Sequence, residues 1–357
     1  MTLLQETPTT VFPEAGEHVA DRPAEERGAA RDDVRLLVAR PDGVRHRRFA
    51  DLADELEPGD LVVVNNSATV AGQVDVVDTA GRARVLHVAT PLDDGSWVVE
   101  LRTAPDASRA VLDAPGGERL TAVPVTSERV TAELVAPYPR PGSSPTGEGT
   151  RLWRAVVTGP LARHLDAHGR PIAYGYLDHA YPLEAYQSVF ATVPGSAEMP
   201  SAGRPFTATL ITRLVARGVS VAPVTLHTGV SSQEAGEAPQ PERYEVGDHT
   251  ARLVNAAHDA GHRVVAVGTT VTRALESAVA ASGRVEARHG WTERVVTPRQ
   301  PPRVVTGLVT GWHDPQASHL LLVEAVAGAE LTQRAYDEAV GEGYWWHEFG
   351  DAGVFLP

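Results

Sequence analysis

Residues 263–277, RVVAVGTTVTRALES, pass from an apolar run through a Gly-Thr-Thr turn into an amphipathic segment. The run at 264–267 is typical of a strand buried on both faces, and the apolar spacing after the turn is typical of a helix. Repeated units of a strand followed by a helix place parallel strands side by side in one sheet. The stretch therefore predicts an α/β layer.

The same alternation extends through the second half of the chain. Strands are predicted at 220–226, 263–268 and 303–312. Helices are predicted at 161–169, 207–218, 250–261, 272–282 and 316–328. A shorter piece with a helix at 49–56 and a strand at 61–67 has the same character. We expect a mainly parallel α/β domain with a sheet or barrel-like layer.

Residues 67–158 follow a different pattern. Short, Val-rich, alternating segments such as RARVLHVA (82–89) and LWRAVVTG (152–159) are separated by Gly, Pro and Asp turns, which is typical of an all-β module. The chain is therefore predicted to consist of 1–66, the N-terminal part of the α/β domain, then the inserted all-β domain, then 159–357, the main α/β domain.

The first thirty residues are rich in Glu, Pro and Ala and show no sustained periodicity. We expect them to wrap the surface or to remain partly mobile. No apolar run approaches the roughly 20 residues that span a bilayer, and the first residues lack a signal-peptide pattern. A cytoplasmic protein without a membrane partner is expected.

Composition excludes several kinds of chemistry. All 32 basic residues are Arg, and the sequence contains neither Lys nor Cys. These absences exclude a Schiff-base lysine, a P-loop lysine, a thiolate nucleophile, disulfides and cysteinyl zinc or iron–sulfur centres. The net charge of −14 argues against broad, non-specific adhesion to nucleic acid or anionic lipid, although a local Arg patch remains compatible with it.

The turn Gly268, Thr269 and Thr270 is the first candidate binding element. Glycine allows a ligand to approach the main chain, the threonines offer hydroxyl and N–H groups, and a helix start favours an anion such as a carboxylate. Arg273, one turn further on, is a candidate partner for that carboxylate. The alternatives are that Thr270 merely caps the helix and that Arg273 is solvated.

The segment ATVPGSAEMPSAGRPFT at 191–207 is the second candidate element. Its small residues Ser201, Ala202 and Gly203 precede a predicted helix and would allow a flat heterocycle or a ribose to approach the backbone. An ordinary loop would account for the same composition.

Histidines are numerous, with 14 in the chain. His258 and His262 have helical i, i+4 spacing, but Gly261 marks the helix end and there is no HExxH pattern, so we expect no catalytic metal. His227 and His313 each follow a predicted strand, where ligands collect in α/β layers, and imidazole exchanges protons near neutral pH. They are candidate proton-transfer residues, with a structural role as the alternative.

Asn65 and Asn66 follow a strand and open the inserted module. Their amides offer donors and acceptors suited to a base edge or a sugar, although Asn-Asn is also ordinary turn chemistry.

Six blocks, in order, resemble the signature blocks of the S-adenosylmethionine:tRNA ribosyltransferase-isomerase family of queuosine biosynthesis. They are GDLVVVNNS (59–67), AYQSVFATVPGSAEMPSAGRPFT (185–207), VTLHTG (224–229), AAHDAGHRVVAVGTTVTRALES (256–277), GLVTGWHDPQASHLLLVEAVAG (307–328) and FGDAGVFL (349–356). The resemblance runs from about residue 33 to the C-terminus. It implies an α/β domain with an inserted antiparallel β-barrel.

The resemblance also implies an activity. The family moves the ribosyl part of S-adenosylmethionine onto the aminomethyl group of a deazaguanine base in tRNA, releasing adenine and methionine and forming an epoxycyclopentane. The sulfonium acidifies the adjacent C5′ hydrogens, so a positioned base suffices and no Lys, Cys or metal is required.

By the same resemblance, the co-substrate S-adenosylmethionine is expected against the two small-residue elements, Ser201 to Gly203 and Gly268 to Thr270, and against Arg273. His227 and His313 are then the proton-transfer candidates. Tyr186, Asn65 and Asn66 are expected to contact substrate, and tRNA is the expected partner.

The chain departs from the family pattern at several of these blocks. Ala68 replaces an Arg, Arg204 and Pro205 replace a Leu-His pair, and an acidic, Pro-containing loop follows Val230. Two alternatives therefore stand beside the main hypothesis. One is a divergent paralogue that uses S-adenosylmethionine with a small-molecule acceptor or none, and the other is a non-catalytic protein that binds S-adenosylmethionine.

Overall fold

The computed structural model describes residues 4, 6–13, 16–125, 127–142, 148–173, 175–230, 237–315 and 318–357. Residues 231–236 of the predicted acidic loop therefore lie outside the described residues. None of the helices in the described part of the chain has the length and apolar character that crossing a membrane requires.

The secondary structure alternates strands and helices in the second half of the chain. The strands are β1 (Arg35–Arg40), β2 (Gly43–Arg48), β3 (Leu61–Asn65), β4 (Ser67–Thr69), β5 (Gln73–Val77), β6 (Ala83–Pro91), β7 (Trp97–Thr103), β8 (Arg119–Ala122), β9 (Thr131–Pro137), β10 (Leu152–Thr158), β11 (Val193–Ser196), β12 (Ser220–Leu226), β13 (Glu242–Val246), β14 (Val264–Val267), β15 (Arg288–Thr292), β16 (Gly307–Gly311) and β17 (Ala352–Phe355). The α-helices are α1 (Leu161–His168), α2 (Ala208–Ala216), α3 (Asp248–Asp259), α4 (Thr269–Ser277), α5 (Ser318–Ala327) and α6 (Ala329–Gly341). Short 3-10 helices lie at Gly16–His18, Ala24–Arg27, Arg31–Asp33, Phe49–Asp54, Leu183–Tyr186 and Ser201–Gly203.

Nine strands form one sheet in the order β15-β13-β12-β3-β14-β16-β17-β1-β2. Its centre is parallel, because β3 pairs in parallel with both β12 and β14, and β14 pairs in parallel with β16. Antiparallel pairs flank this centre, between β12 and β13 on one side and between β16 and β17 on the other. The α/β class is confirmed, with the difference that the sheet is open and mixed.

Each face of the sheet carries its own hydrophobic core, because side chains alternate along a strand. Leu61 and Val63 of β3 lie in the core covered by α3, α4, α5 and α6. Val62 and Val64 lie in the core covered by α2 and the 3-10 helix Phe49–Asp54. Burial on both faces explains why the central strands are unbroken apolar runs.

The inserted antiparallel β-barrel is confirmed. Strands β5 to β10 close into a barrel in the order β10-β7-β6-β5-β8-β9, filled by residues such as Val99 and Leu134. Leu161 and Leu165 of α1 lie in the same core, so the packing of the barrel extends past its last strand. Strand β4 pairs in parallel with β11 outside the barrel.

The described part of the N-terminal segment is anchored to the α/β domain. Phe12 is buried in the main core, with its ring centroid 4.5 Å from that of Tyr336. The backbone N–H groups of Thr9 and Thr10 both donate to a carboxylate oxygen of Glu324, at 2.8 and 2.7 Å. The segment thus follows the surface as expected, but a buried aromatic ring fixes part of it.

Several local elements differ from the predicted ones. The helix predicted at 49–56 is a 3-10 helix, and α4 ends at Ser277 because Val279 then forms a bridge with Val285. Strands β13 and β15 have no predicted counterpart, since they are half exposed and carry few apolar residues.

Candidate active site

A cleft with a volume of about 220 Å³ opens at the carboxyl edge of the sheet. The parallel strands β12, β3, β14 and β16 all end there, which is the usual place for ligands in α/β sheets. Seven of the sequence-predicted site residues line it, namely Ser201, Ala202, Gly268, Thr269, Thr270, Arg273 and His313.

The start of α4 forms one wall of the cleft. Gly268 is the N-cap residue, and its φ of 90° and ψ of 163° are readily accessible to glycine alone. A Cβ at this position would lie 3.2 Å from Cβ of Ala202, so the two candidate elements are in direct contact. Gly268 occupies the N-cap position of α4 and Thr270 is the second residue of the helix, so the alternative that Thr270 serves merely as its N-cap is wrong.

The second candidate element is a single turn of 3-10 helix, Ser201–Gly203. Ser201 and Ala202 line the cleft, whereas Gly203 is buried beside it. A Cβ at Gly203 would face Ser188 and Phe190. The turn therefore contributes two of its three predicted residues to the cleft.

Arg273 lines the cleft, but its guanidinium is already engaged. It forms an ion pair with Glu242 and donates to the carbonyls of Arg294, Gln240 and Thr292 at 3.1, 2.8 and 3.3 Å. Burial raises the pKa of Glu242, and the charge of Arg273 only partly offsets this effect. The arrangement joins α4 to β13 and β15, and Arg273 is neither solvated nor left open for a carboxylate.

His313 follows β16 and meets a histidine that the sequence reasoning missed. The ring centroids of His313 and His319 are 3.8 Å apart, and both residues line the cleft. Nε2 of His319 lies 2.8 Å from Oγ1 of Thr310. Burial lowers the pKa of His319 to about 3, and it lowers the pKa of His313 well below its ordinary value, with His319 and His347 adding to the effect. Both imidazoles are uncharged at neutral pH.

His227 follows β12 and lies beside the cleft rather than in its wall. Its Nδ1 is 2.7 Å from Oγ of Ser67, which is 2.6 Å from Oγ of Ser196. A Cβ at Gly195 would lie 2.5 Å from the same nitrogen, so the ring packs tightly against this backbone. Burial lowers the pKa of His227, and the charge of Arg243 adds to this. His227 thus ends a short chain of hydroxyl groups.

The side-chain amide of Asn65 links the ends of β3 and β12. Its Oδ1 accepts from the N–H groups of Leu226 and Ser67, both at 3.0 Å, and its Nδ2 donates to the carbonyl of Leu226 at 2.8 Å. The same Nδ2 lies 3.4 Å from Oγ1 of Thr270. The amide is buried, and both its oxygen and its nitrogen have hydrogen-bond partners. Asn65 therefore stabilises the cleft without lining it.

Two further predicted substrate contacts lie away from the cleft lining. Oδ1 of Asn66 accepts from Oγ1 of Thr225 at 2.7 Å. Tyr186 is buried among Tyr181, Met199 and Phe349. The geometry gives Asn66 a hydrogen-bonding role and Tyr186 a packing role next to the cleft.

In the described part of the chain, no cluster of three or more His, Asp or Glu residues is arranged to hold a metal ion. His258 and His262 have the i, i+4 spacing considered above for a metal site. His262 packs on Gly59, which precedes β3, so it lies at the opposite edge of the sheet from the cleft.

Comparison with known proteins gives a match over nearly the whole chain. Residues 12–355 match the family model described as queuosine biosynthesis protein. An S-adenosylmethionine:tRNA ribosyltransferase-isomerase from Thermus thermophilus is 36% identical over 93% of this chain and 95% of its own length, and one from Acidiphilium cryptum is 34% identical over 95% of each. A crystal structure of S-adenosylmethionine tRNA ribosyltransferase from Thermotoga maritima has a TM-score of 0.52 and 26% identity, covering 97% of this chain and 99% of that one.

The chain belongs to the queuosine biosynthesis protein family.

In this queuosine biosynthesis protein, the departure at Arg204 has a structural role of its own. Its guanidinium donates to the carbonyl of Ala185 at 2.9 Å, pairs with Glu25 at 3.0 Å, and lies 4.8 Å from the ring centroid of Phe349. The side chain is 4% exposed. Arg204 therefore ties the N-terminal and C-terminal segments to the turn that carries Ser201 and Ala202.

Other residues of the cleft carried no signal in the sequence. Gln240 and Glu242 line it, yet neither belongs to a recognisable motif, and Glu198 lies within the block at 185–207 without a feature that singles it out. His319 lies in a segment predicted correctly as a helix, but its meeting with His313 depends on the path of the chain between β16 and α5. The residues 316–317 of that path lie outside the described residues.

Proposed function

We propose that this queuosine biosynthesis protein is an S-adenosylmethionine:tRNA ribosyltransferase-isomerase. It would transfer the ribosyl part of S-adenosylmethionine to 7-aminomethyl-7-deazaguanine in tRNA, forming epoxyqueuosine and releasing adenine and methionine. The observation that carries the proposal is the full-length similarity to proteins named for this activity, at 34–36% identity over 93–95% of the chain.

The shape of the cleft supports the choice of donor. The first N–H groups of a helix lack partners within it, and those of α4 begin at Thr269 and Thr270, where a methionyl carboxylate would be favoured. Ser201 and Ala202 present little bulk on the adjoining wall, which suits the ribose or the adenine ring. Arg273 braces this arrangement instead of binding the carboxylate itself.

The charges of the cleft support a cationic ligand. Its two histidines are uncharged, its Arg273 is neutralised by Glu242, and Glu198 adds a further carboxyl group to the lining. A sulfonium therefore meets no free positive charge from the described residues of the lining. A cation is stabilised by carboxylate and lone-pair groups at short range.

The proposed chemistry uses His313 as the base. An uncharged imidazole has a lone pair that accepts a proton, and the sulfonium acidifies the C5′ hydrogens that the base would attack. The electron pair of the C5′–H bond then forms a C4′–C5′ double bond as the ring bond from C4′ to oxygen breaks, and the freed oxygen forms a carbonyl at C1′ as the bond to adenine breaks. The leaving adenine takes the proton held by the imidazole, and methionine leaves later with the electron pair of its bond to C5′. His227, connected to Ser67 and Ser196, is the second proton-transfer candidate.

The test is adenine release measured with and without the acceptor tRNA. Purified protein is incubated with S-adenosylmethionine and with tRNA that carries 7-aminomethyl-7-deazaguanine, and tRNA with unmodified guanine serves as the control. We expect adenine and methionine in equal amounts and epoxyqueuosine in the digested tRNA, all dependent on the modified base. Adenine release that is independent of tRNA, or binding of the donor without turnover, would refute the proposal.

A further inference from the structure

Two histidine rings form one wall of the cleft. His313 follows the end of β16, His319 lies in the first turn of α5, and their rings are inclined by 33° at a centroid distance of 3.8 Å. Because both residues line the cleft, a ligand there would meet the two imidazoles together. We call these two residues the histidine pair.

Residues of β16 and of the buried core fix the positions of the histidine pair. Thr310, in β16, fixes His319 through the 2.8 Å contact between Oγ1 and Nε2. Trp312 is fully buried and anchors the chain just before His313. The N–H of His347 donates to the carbonyl of Trp312 at 3.2 Å. The positions of the two rings therefore follow from the fold and are present before any ligand arrives.

Burial keeps the histidine pair uncharged, as the lowered pKa values of both residues indicate. Two adjacent imidazoles also resist double protonation, because like charges at this distance repel. The other charged or titratable groups around the pair and the cleft are His347, Asp314, Tyr336, Glu198, Glu242 and Arg273. Arg273, the one arginine among the described residues of the lining, is neutralised by Glu242.

The spacing of the sheet places the pair near the sulfur of the proposed donor. If the methionyl carboxylate lies at the start of α4, after β14, the neighbouring parallel strand β16 ends about 4.8 Å away. Three carbon atoms separate the carboxylate from the sulfur, which is a comparable span. The sulfur would then lie opposite the residues that follow β16.

We propose that the histidine pair is the wall that accepts the sulfonium, and that the absence of charge at residue 319 sets the preference for S-adenosylmethionine over its thioether, S-adenosylhomocysteine. This inference rests on the proposed function, since it takes S-adenosylmethionine as the ligand. Residue 319 is then a position whose lack of charge allows the cleft to prefer a positively charged sulfur over a neutral one.

The experiment compares the affinities of the two nucleosides by titration calorimetry. The variants are His319→Lys, which adds a charge, and His319→Gln, which does not. The matched control is His249→Lys, because His249 is the second residue of α3 as His319 is of α5, and it is exposed outside the cleft. The wild-type sequence contains no Lys, so beside the N-terminal amine the new side chain is the one target of an amine-specific label.

We expect His319→Lys to weaken S-adenosylmethionine binding by at least about tenfold more than S-adenosylhomocysteine binding, because an ammonium close to the sulfonium repels it. His319→Gln and His249→Lys should leave the ratio of the two affinities within about threefold of wild type. An equal loss for both nucleosides, or an unchanged ratio in His319→Lys, would overturn the inference. A wild-type chain that binds neither nucleoside would overturn the proposed function as well, which distinguishes the two failures.

A second measurement keeps the inference testable if the lysine variant does not fold. In a chain that keeps His313 and His319, the pair should stay uncharged between about pH 8 and pH 6, across the ordinary pKa of histidine. The ratio of the affinities for S-adenosylmethionine and S-adenosylhomocysteine should therefore be constant in this interval. Burial raises the pKa of Glu348 to about 7, and this residue lines a small cavity that shares Glu198 with the cleft. The pH titrations are therefore made with the Glu348→Gln variant, which removes this carboxyl group. A loss of the preference for S-adenosylmethionine on acidification of that variant would refute the inference.

Discussion

Gly268 is the residue on which the geometry of the cleft depends most directly. Its φ of 90° lies in a region that other residues rarely adopt, and Ala202 approaches to within 3.2 Å of where a Cβ would be. The residue thereby allows β14 to turn into α4 while the 3-10 turn at Ser201–Gly203 packs against it. Backbone freedom and close approach are required at the same position.

Gly268→Ala should therefore lower both stability and donor binding. The positive φ costs about 1–2 kcal/mol in the free energy of unfolding, and displacement of the neighbouring turn should weaken S-adenosylmethionine binding by at least about tenfold. Gly261→Ala is the control, since Gly261 has a φ of 73° but no atom of the described residues lies within 4 Å of an added Cβ. Thermal unfolding and calorimetry check both variants, and equal loss of binding in the two would contradict the assigned role of Gly268.

The turn at Gly268 and the close approach of another group to it could be predicted from the sequence, because the signal there is local. A glycine between an apolar strand and an amphipathic helix is typical of a turn that another group approaches closely. The same reasoning did not detect His319 or the partners of the Asn65 amide, because the partners of these side chains lie on separate elements. The amide of Asn65 is satisfied by Leu226, 161 positions away. A pattern read along the chain contains no information about such pairing.

The role of Asn65 can be tested by deleting its amide. Asn65→Ala leaves the buried N–H groups of Leu226 and Ser67 without their acceptor, which should cost about 2–5 kcal/mol in the free energy of unfolding. Asn66→Ala removes one acceptor from Thr225 and should cost about 1 kcal/mol. Urea denaturation compares the two. A stable Asn65→Ala chain with weakened substrate binding would instead favour a direct contact.

At the scale of elements, the barrel contains a buried carboxylate that pairs with two arginines. Glu100 of β7 is fully buried and lies 2.7 Å from Arg102 and 3.2 Å from Arg151. Burial alone would raise the pKa of Glu100, but His87, Arg151 and Arg102 outweigh it and lower the pKa to about 2. The carboxylate is therefore charged throughout the neutral range and holds two buried arginines.

The lowered pKa predicts a specific dependence of stability on pH. The ion pairs of Glu100 contribute fully above pH 4.5, the ordinary value, and the contribution of about 3 kcal/mol is lost as the pH falls toward 2. Glu100→Gln should be destabilised by about 3–5 kcal/mol at pH 7, because it leaves buried arginines without a countercharge. The difference in the free energy of unfolding between wild type and Glu100→Gln should decrease as the pH falls from 4.5 to 2.

The matched control for Glu100 is Glu133→Gln in the same barrel. Glu133 pairs with Arg119 at 2.8 Å, but both side chains are exposed. We expect a change of at most about 1 kcal/mol at pH 7, because water screens an exposed ion pair. Urea unfolding at several pH values measures both variants, and parallel behaviour of the two would exclude the buried network as the cause.

At the scale of the whole molecule, polar contacts join the barrel to the cleft. Arg151 of the barrel segment binds Glu237 at 2.5 Å, and Nε2 of Gln240 donates to the same carboxylate at 3.0 Å. The carbonyl of Gln240 accepts from Arg273, which pairs with Glu242 in the cleft. The segmentation of the chain suggested two domains with separate cores, but only the structure reveals this connection, since its members come from widely separated stretches.

The connection predicts that a change at the barrel end weakens donor binding. Glu237→Gln should reduce S-adenosylmethionine affinity by about three- to tenfold while leaving the barrel folded, because Arg151 retains Glu100 and the position of Gln240 is loosened. Glu245→Gln, on the exposed side of β13, is the control and should have no effect.

A double-mutant cycle decides whether the effect passes through the ion pair. If it does, Arg151→Gln combined with Glu237→Gln should bind the donor about as weakly as the worse single variant, giving a coupling of about 0.6–1.4 kcal/mol, the equivalent of the three- to tenfold loss. Calorimetric titration of the four chains measures this value. Strictly additive losses would mean that the barrel and the cleft are independent, and the contacts from Arg151 to Arg273 would then be packing without consequence for binding.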